Sequence, residues 1–126
     1  SSILINNITI DNAKNDCIDF SFGKYEIEKA NLNNCGDKGV SVGEKSKLEM
    51  LEANILSSNI GVASKDSSYT KIDKIKIDKI NTCLAAYNKK REFKGSELKV
   101  NKFECANYRI KTEKDNLSQI YIMNES

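Results

Sequence analysis

The chain has 126 residues, of which 39% are hydrophobic and 30% charged, and its 20 basic and 18 acidic side chains give a formal net charge of +2 at pH 7. That size suits one domain, the interspersed charges give no nucleic-acid-binding footprint, and no apolar run approaches the roughly 20 residues needed to span a bilayer. Histidine is absent, which excludes Ser-His and Cys-His nucleophile pairs and argues against a zinc site.

Apolar residues recur in a pattern that predicts short strands along the whole chain. In each copy two apolar residues stand two apart, a third follows after two polar residues, and a turn leads to a second apolar pair. In chain order the copies are Ile8, Ile10, Ala13, Ile18 and Phe20; Tyr25, Ile27, Ala30, Val40 and Val42; Leu48, Met50, Ala53, Ile60 and Val62; Ile75, Ile77, Ile80, Leu84 and Ala86; and Leu98, Val100, Phe103, Tyr108 and Ile110. Ile120 and Ile122 begin a sixth copy.

A repeat of roughly 23 residues predicts an all-β fold, namely a right-handed parallel β-helix of about five rungs. No copy can bury its own apolar side, and stacking each strand on its equivalent one turn away solves this problem. Leucine-rich repeats have a similar period, but their LxxLxL pattern and their helical stretches are missing.

A short stack of this kind exposes a sheet edge and apolar interior at both ends unless they are capped. We therefore expect a single β-helix domain over residues 1–126 that is a fragment or C-terminal module of a larger protein, or that associates end to end. Residues 111–126 are the candidate C-terminal cap.

The four cysteines, Cys17, Cys35, Cys83 and Cys105, lie near the bends of their copies and have no CxxC spacing. We interpret them as a structural ladder of buried thiols that stack about 4.8 Å apart along the axis. Disulfides between rungs are the alternative, and four cysteines allow three pairings among which the sequence does not choose.

Asparagines are abundant at the predicted bends, where they tolerate a left-handed backbone and can bond to one another along the axis. The residues in question are Asn12, Asn33, Asn34, Asn54, Asn81 and Asn101. This pattern predicts a structural role and gives no indication of a ligand.

Charged residues that follow the second apolar pair of each copy form a candidate polar edge. Stacking should bring Glu44, Asp66 and Lys90 together. An edge of this kind could bind a metal ion or a sugar. The alternative is that these groups pair between rungs and cap turns. The full set of candidates is Asp37, Glu44, Lys65, Asp66, Lys89, Lys90 and Arg91, with Asp16 and Asp19 as further carboxylates.

The segments 15-NDCIDFSFGKYEI-27, 36-GDKGVSVGEKS-46, 60-IGVASKDSS-68 and 85-AAYNKK-90 resemble right-handed parallel β-helix proteins of the pectate-lyase-like superfamily. Within that group the chain is similar to β-helix modules of bacterial secreted or cell-surface proteins, including those beside spore-coat-kinase-like domains. The resemblance implies an extracellular or cell-surface location. Lyases of that superfamily hold calcium with carboxylates and remove a proton with Lys or Arg, but no contiguous lyase motif is reproduced here.

Three functions follow as hypotheses. The preferred one is a non-catalytic structural or carbohydrate-binding module, whose tyrosines Tyr69 and Tyr87 would stack on sugar rings if exposed, whereas Tyr25 and Tyr108 are expected in the core. The alternatives are a polysaccharide lyase or hydrolase that uses Asp or Glu with Lys or Arg on one face, and an element that assembles through its ends. No cofactor or metal site is expected, with calcium as the one candidate ion, and the expected partner is a polysaccharide.

Overall fold

The structure, a computed structural model, describes residues 2–126, which form an all-β parallel solenoid of about six turns with a repeat of ~22 residues. The strands are β1 (Ser2–Ala13), β2 (Ile18–Phe20), β3 (Gly23–Cys35), β4 (Lys38–Val42), β5 (Ser46–Lys65), β6 (Tyr69–Tyr87), β7 (Glu97–Lys114) and β8 (Gln119–Glu125). The predicted all-β parallel solenoid is confirmed, and the hand of its winding stays a prediction. No helix that could cross a membrane occurs in the described part of the chain. The predicted domain of residues 1–126 also includes Ser1, which lies outside the described residues.

Successive turns pair in parallel in the order β1-β3-β5-β6-β7-β8. The short strand β2 pairs with β4, and β4 pairs with β5. We call the turns coil 1 (residues 2–22), coil 2 (23–45), coil 3 (46–68), coil 4 (69–96), coil 5 (97–118) and coil 6 (119–126). Equivalent side chains are 22 or 23 residues apart, except between coils 4 and 5, where the spacing is 28. The extra residues form the loop 88–96 between β6 and β7.

Coils 1 to 5 have three faces each, because the strand ladders are interrupted twice per turn, whereas coil 6 has the first face and the start of the second. In coil 1 the first face comprises residues 2–5, the second residues 7–11 and the third residues 18–20. The corner after the second face holds a non-glycine residue in a left-handed conformation in each of coils 1 to 5, namely Asn12, Asn34, Ser57, Lys79 and Asn107. The sequence predicted this role for Asn12 and Asn34, which tolerate positive φ better than most residues.

Inward side chains stack in columns and form one continuous core through coils 2 to 5. One such column consists of Ile5, Ile27, Met50, Ile72, Val100 and Ile122. Its four middle members are buried, whereas its first and last members are partly exposed. Each middle coil is thus shielded by its two neighbours, as stacking requires.

The four cysteines form two disulfides between neighbouring coils. Cys17 bonds Cys35 across coils 1 and 2, and Cys83 bonds Cys105 across coils 4 and 5. Cys17 and Cys83 share one column with Gly39 and Gly61, but their partners lie in two other columns. The predicted ladder of stacked free thiols is therefore not formed, and the structure shows the alternative of disulfides between rungs.

Candidate functional site

The predicted polar edge lies at the corner between the third and first faces, where the loop 88–96 folds back over earlier coils. Lys90 Nζ lies 2.6 Å from Glu44 Oε2, which joins coil 4 to coil 2. Asp66 is buried between them, and its Oδ1 accepts hydrogen bonds from the backbone N–H groups of Lys89 at 2.6 Å and Lys90 at 2.9 Å. Stacking thus brings together Glu44, Asp66 and Lys90, as the sequence predicted.

These contacts hold the loop in place rather than leaving charges available for a ligand. The Lys90 ammonium keeps the pKa of Glu44 below its usual value, and Glu44 in turn raises the pKa of Lys90. Further along the loop, the ring of Phe93 lies 6.3 Å from that of Phe22 in coil 1. Arg91 is exposed and has no hydrogen bond or ion pair within residues 2–126.

A second charged cluster lies on the third face and contains Asp37. Lys38 Nζ is 2.8 Å from Asp37 Oδ2, and Asn59 Nδ2 donates to Asp37 Oδ1 at 3.3 Å. The hydrogen bond from Lys38 is the main reason that the pKa of Asp37 is lowered, and the charge of Lys65 lowers it further. Asp37 and Lys65 therefore belong to this cluster.

The possible proton-transfer groups near Asp37 are unsuited to act as bases at neutral pH. Burial raises the pKa of Tyr87. Burial alone would lower the pKa of Lys38, but its hydrogen bond to Asp37 and nearby negative charges raise it overall. A general base works best when its pKa lies near the working pH, and both shifts move away from that range.

Of the remaining carboxylates, Asp16 accepts a hydrogen bond from the backbone N–H of Lys38 at 3.1 Å. Asp19 is exposed on the third face. Among the described residues no group of three or more His, Cys, Asp or Glu side chains is arranged to hold a metal ion. The candidates with the geometry of caps and inter-coil pairs are thus Asp16, Glu44, Asp66 and Lys90. Asp19 and Arg91 make no such contact within residues 2–126.

These ion pairs predict how the stability depends on pH. The pKa values of Asp37 and Glu44 are lower in the folded protein than in the unfolded chain, where they are near 4. Their ionised forms therefore stabilise the fold fully above about pH 4, and this stabilisation is lost as the pH falls through the folded pKa values. We expect the free energy of unfolding to decline below about pH 4. Urea titrations of the protein and of the Asp37→Asn/Glu44→Gln variant between neutral and acid pH measure this effect. A variant with an equally steep acid decline would contradict it.

The first face carries an aromatic and cationic strip of which the sequence analysis singled out only Tyr69. The strip is formed by Lys47, Tyr69, Lys99 and Tyr121. Lys47 Nζ lies 5.8 Å from the ring centroid of Tyr69. Lys99 Nζ lies 5.7 Å from the centroids of both Tyr69 and Tyr121. We call this the Tyr–Lys strip. Lys99 and Tyr121 were not predicted, because placing them beside Tyr69 requires the 28-residue spacing between coils 4 and 5. Lys47 lies one ordinary repeat of 22 residues before Tyr69 and was not singled out in the sequence analysis.

A shallow groove of about 360 Å³ continues the same face toward coil 1. Its walls carry carboxylates and exposed apolar side chains, and include Leu4, Glu26, Glu28, Glu49, Leu51 and Asp73. Carboxylates accept hydrogen bonds from hydroxyl groups, and the apolar side chains can cover a ring face. The first face thus combines an acidic groove with the Tyr–Lys strip.

No protein-family model, curated protein or solved structure matches this chain. The parallel solenoid is therefore established by the structure alone, and membership of the pectate-lyase-like superfamily stays a prediction.

Proposed function

We propose that the chain is a non-catalytic, carbohydrate-binding β-solenoid module of a bacterial secreted or cell-surface protein. In this proposal the Tyr–Lys strip on the first face binds a polysaccharide, and the acidic groove beside it is not part of the binding site for acidic groups. The Tyr–Lys strip is the observation that carries the proposal, because it places two aromatic rings and two ammonium groups along one sheet surface. The two disulfides support an oxidising location such as the cell exterior.

The strip has the chemistry that sugar recognition needs. Tyr121 is 41% exposed and Tyr69 is half-buried, so the rings offer apolar surface together with a hydroxyl group. Lys99 can pair with a carboxylate of an acidic polysaccharide, and the Tyr69 and Tyr121 rings hold its ammonium group near the surface. Lys47 Nζ lies 3.7 Å from Glu49 Oε1 and would exchange this exposed ion pair for one with the ligand. An acidic polysaccharide is therefore the expected ligand class.

We expect Tyr69→Ala and Tyr121→Ala each to weaken binding of an acidic polysaccharide about tenfold, because each removes one stacking ring. A glycan array identifies the ligand, and calorimetric titration then compares the variants. The sequence predicted Tyr108 in the core, which is wrong, because Tyr108 is 41% exposed. Tyr108→Ala is therefore the matched control, since it has the same exposure as Tyr121 but lies away from the first face. Binding that is lost equally in the control, or no binding to any glycan, would contradict the proposal.

The polysaccharide lyase or hydrolase is the second candidate, and the cluster of Asp37, Lys38 and Tyr87 is the observation in its favour. The same polysaccharides are incubated with the protein, with and without calcium, and the products are followed by absorbance and chromatography. Release of unsaturated or shortened sugars would overturn the non-catalytic proposal. We expect the polysaccharides to remain intact, because both candidate bases are held protonated.

A further inference from the structure

The outward side chains of the first face form two columns that run along the solenoid and alternate with the inward columns. From coil 1 to coil 6, the first column consists of Ser2, Lys24, Lys47, Tyr69, Glu97 and Gln119. In the same order, the second column consists of Leu4, Glu26, Glu49, Lys71, Lys99 and Tyr121. The second column therefore reads apolar, acidic, acidic, basic, basic and aromatic.

Most charges in the two columns have no ion-pair partner within the chain. The side chains that form no ion pair within residues 2–126 are Lys24, Glu26, Lys71, Glu97 and Lys99. The register instead stacks like charges, because Glu26 lies beside Glu49 and Lys71 lies beside Lys99. Like charges on neighbouring strands repel each other. The face is therefore suited to a partner that supplies opposite charges at these positions.

The second column is complementary to itself when one copy is read in the reverse order of coils. Coil 2 then lies opposite coil 5, which places Glu26 opposite Lys99. Coil 3 lies opposite coil 4, which places Glu49 opposite Lys71. Coil 1 lies opposite coil 6, so Leu4, which is 68% exposed, covers the ring of Tyr121. Each charge of the second column thus meets an opposite charge.

The first column is complementary in the same register. Lys24 of coil 2 lies opposite Glu97 of coil 5, which forms another ion pair. Lys47 of coil 3 lies opposite Tyr69 of coil 4, and the ammonium group can contact the face of the ring. The chain already makes this contact internally, since Lys47 Nζ lies 5.8 Å from the ring centroid of Tyr69. The two columns therefore indicate the same partner in the same orientation.

We propose that the first face is the interface of an antiparallel homodimer. The second copy is rotated by a half-turn about an axis that runs along the strand direction between coils 3 and 4. Each contact then occurs twice, because a two-fold interface uses the same surface of both copies. All of the charged pairs lie in coils 2 to 5, away from both ends of the stack.

Other arrangements of two first faces place like charges opposite each other. An axis at coil 3 would set Glu49 opposite Glu49 of the second copy, and an axis at coil 4 would do the same for Lys71. Rotation about the solenoid axis would place every charge of the second column opposite itself. At the corner beside this face, Leu51 lies opposite Asp73 and makes no favourable contact. The charge pattern of the two columns thus selects one register.

The size of the face predicts a reversible dimer. Four residues per turn and about six turns span roughly 13 Å by 24 Å. This area is below the about 800 Å² that each partner buries in a standard interface. Exposed ion pairs supply the specificity, and salt screens them. We therefore expect dimers at high protein concentration and low ionic strength, and monomers in high salt.

The dimer covers the Tyr–Lys strip, so it competes with the proposed polysaccharide but does not depend on carbohydrate binding. Glu26 of the second copy lies where the ligand's acidic group would meet Lys99. An acidic polysaccharide should therefore dissociate the dimer. The dimer is measured without any glycan, so a failure to bind glycans contradicts only the proposed function.

Sedimentation equilibrium at low and high ionic strength measures the dimer dissociation constant. Glu26→Lys should raise this constant at least about tenfold, because two ion pairs become two repulsive contacts. Glu26→Lys/Lys99→Glu should restore dimerisation, since the charges are exchanged and every pair is kept. Glu26→Lys/Lys102→Glu is the matched control, which has the same composition but changes a lysine of the second face. This control should dimerise as weakly as Glu26→Lys, and urea midpoints show whether each variant is folded.

A crosslinking experiment tests the antiparallel orientation. Lys24→Cys and Glu97→Cys are prepared separately, mixed and treated with a short bis-maleimide. Crosslinked dimers in the mixture, with few in either variant alone, support the interface, and equal crosslinking in each variant alone would overturn it. A protein that stays monomeric at millimolar concentration and low ionic strength would also overturn it. So would a dimer that Glu26→Lys leaves unchanged, a folded charge-exchanged variant that does not dimerise, or assembly beyond the dimer.

Discussion

Gly61→Ala is expected to lower the free energy of unfolding by about 3 kcal/mol or more. A Cβ atom at Gly61 would lie 2.4 Å from the backbone carbonyl oxygen of Cys83 and 3.0 Å from Cδ1 of Ile77. The carbonyl oxygen belongs to coil 4, whose strand pairs with that of coil 3, so relief of the clash requires the two coils to move apart. The hydrogen bonds between the coils would lengthen over the whole third face.

Gly43→Ala is the matched control for this substitution. Its Cβ would lie 3.2 Å from the carbonyl oxygen of Phe20 and 3.4 Å from Oγ of Ser21, contacts that a small shift relieves. The lower entropy of the unfolded chain offsets part of that cost, so we expect a change within about 1 kcal/mol. Urea denaturation followed by circular dichroism measures both variants. Similar urea midpoints for the two alanine variants would contradict the prediction, because they would show that the close approach of coils 3 and 4 at Gly61 does not determine the stability.

Removal of the disulfide between Cys83 and Cys105 should cost about 3 kcal/mol of stability. The bond joins residues 22 apart in the sequence, and a loop of that length restricts the unfolded chain by roughly this amount in the chain-entropy description. Cys83 is fully buried, so we choose Cys83→Ala/Cys105→Ala, which leaves no buried hydroxyl group. The urea midpoint should fall for this variant and also for the unmodified protein under reducing conditions.

The bond between Cys17 and Cys35 closes 18 residues and should contribute a similar amount. A variant that lacks all four cysteines is the control for the reductant, because its stability should not change when the reductant is added. A midpoint of the unmodified protein that is insensitive to reduction would contradict the expected contribution of both bonds.

The sequence predicted the parallel solenoid correctly, but it placed some copies in the wrong register. Tyr25, Leu48 and Leu98 were aligned with one another, and they do share a column. Ile8 and Ile75 were aligned with them, but they lie in the column of Ala30, on the second face. Apolar residues two apart look alike on every face, so alternation alone does not identify the face. The number of turns is unaffected by this error, since each copy lies in its own coil and the sixth turn is the copy that Ile120 and Ile122 begin.

Contacts between residues of one column could be predicted from the repeat, because stacking alone brings such residues together. Contacts between residues of different columns could not be predicted in this way. The proximity of Glu44, Asp66 and Lys90 follows from stacking, although the loop 88–96 is what carries Lys90 to coil 2. The disulfides join different columns, with Cα–Cα distances of 5.3 Å for Cys17 to Cys35 and 6.6 Å for Cys83 to Cys105. A ladder along one column therefore gives the wrong partners, because bonding crosses between faces.

The positions of the two disulfides determine how the molecule responds to tension. A solenoid in which each turn contacts only its neighbours should unfold under tension turn by turn, starting from its two ends. One covalent link joins the first two turns and the other joins the fourth and fifth. Force passes through each intact bond, so the residues between its two cysteines cannot extend, whereas the rest of the chain can. The fully unfolded molecule should therefore be shorter under tension when oxidised than when reduced, by the length of the closed loops of 18 and 22 residues.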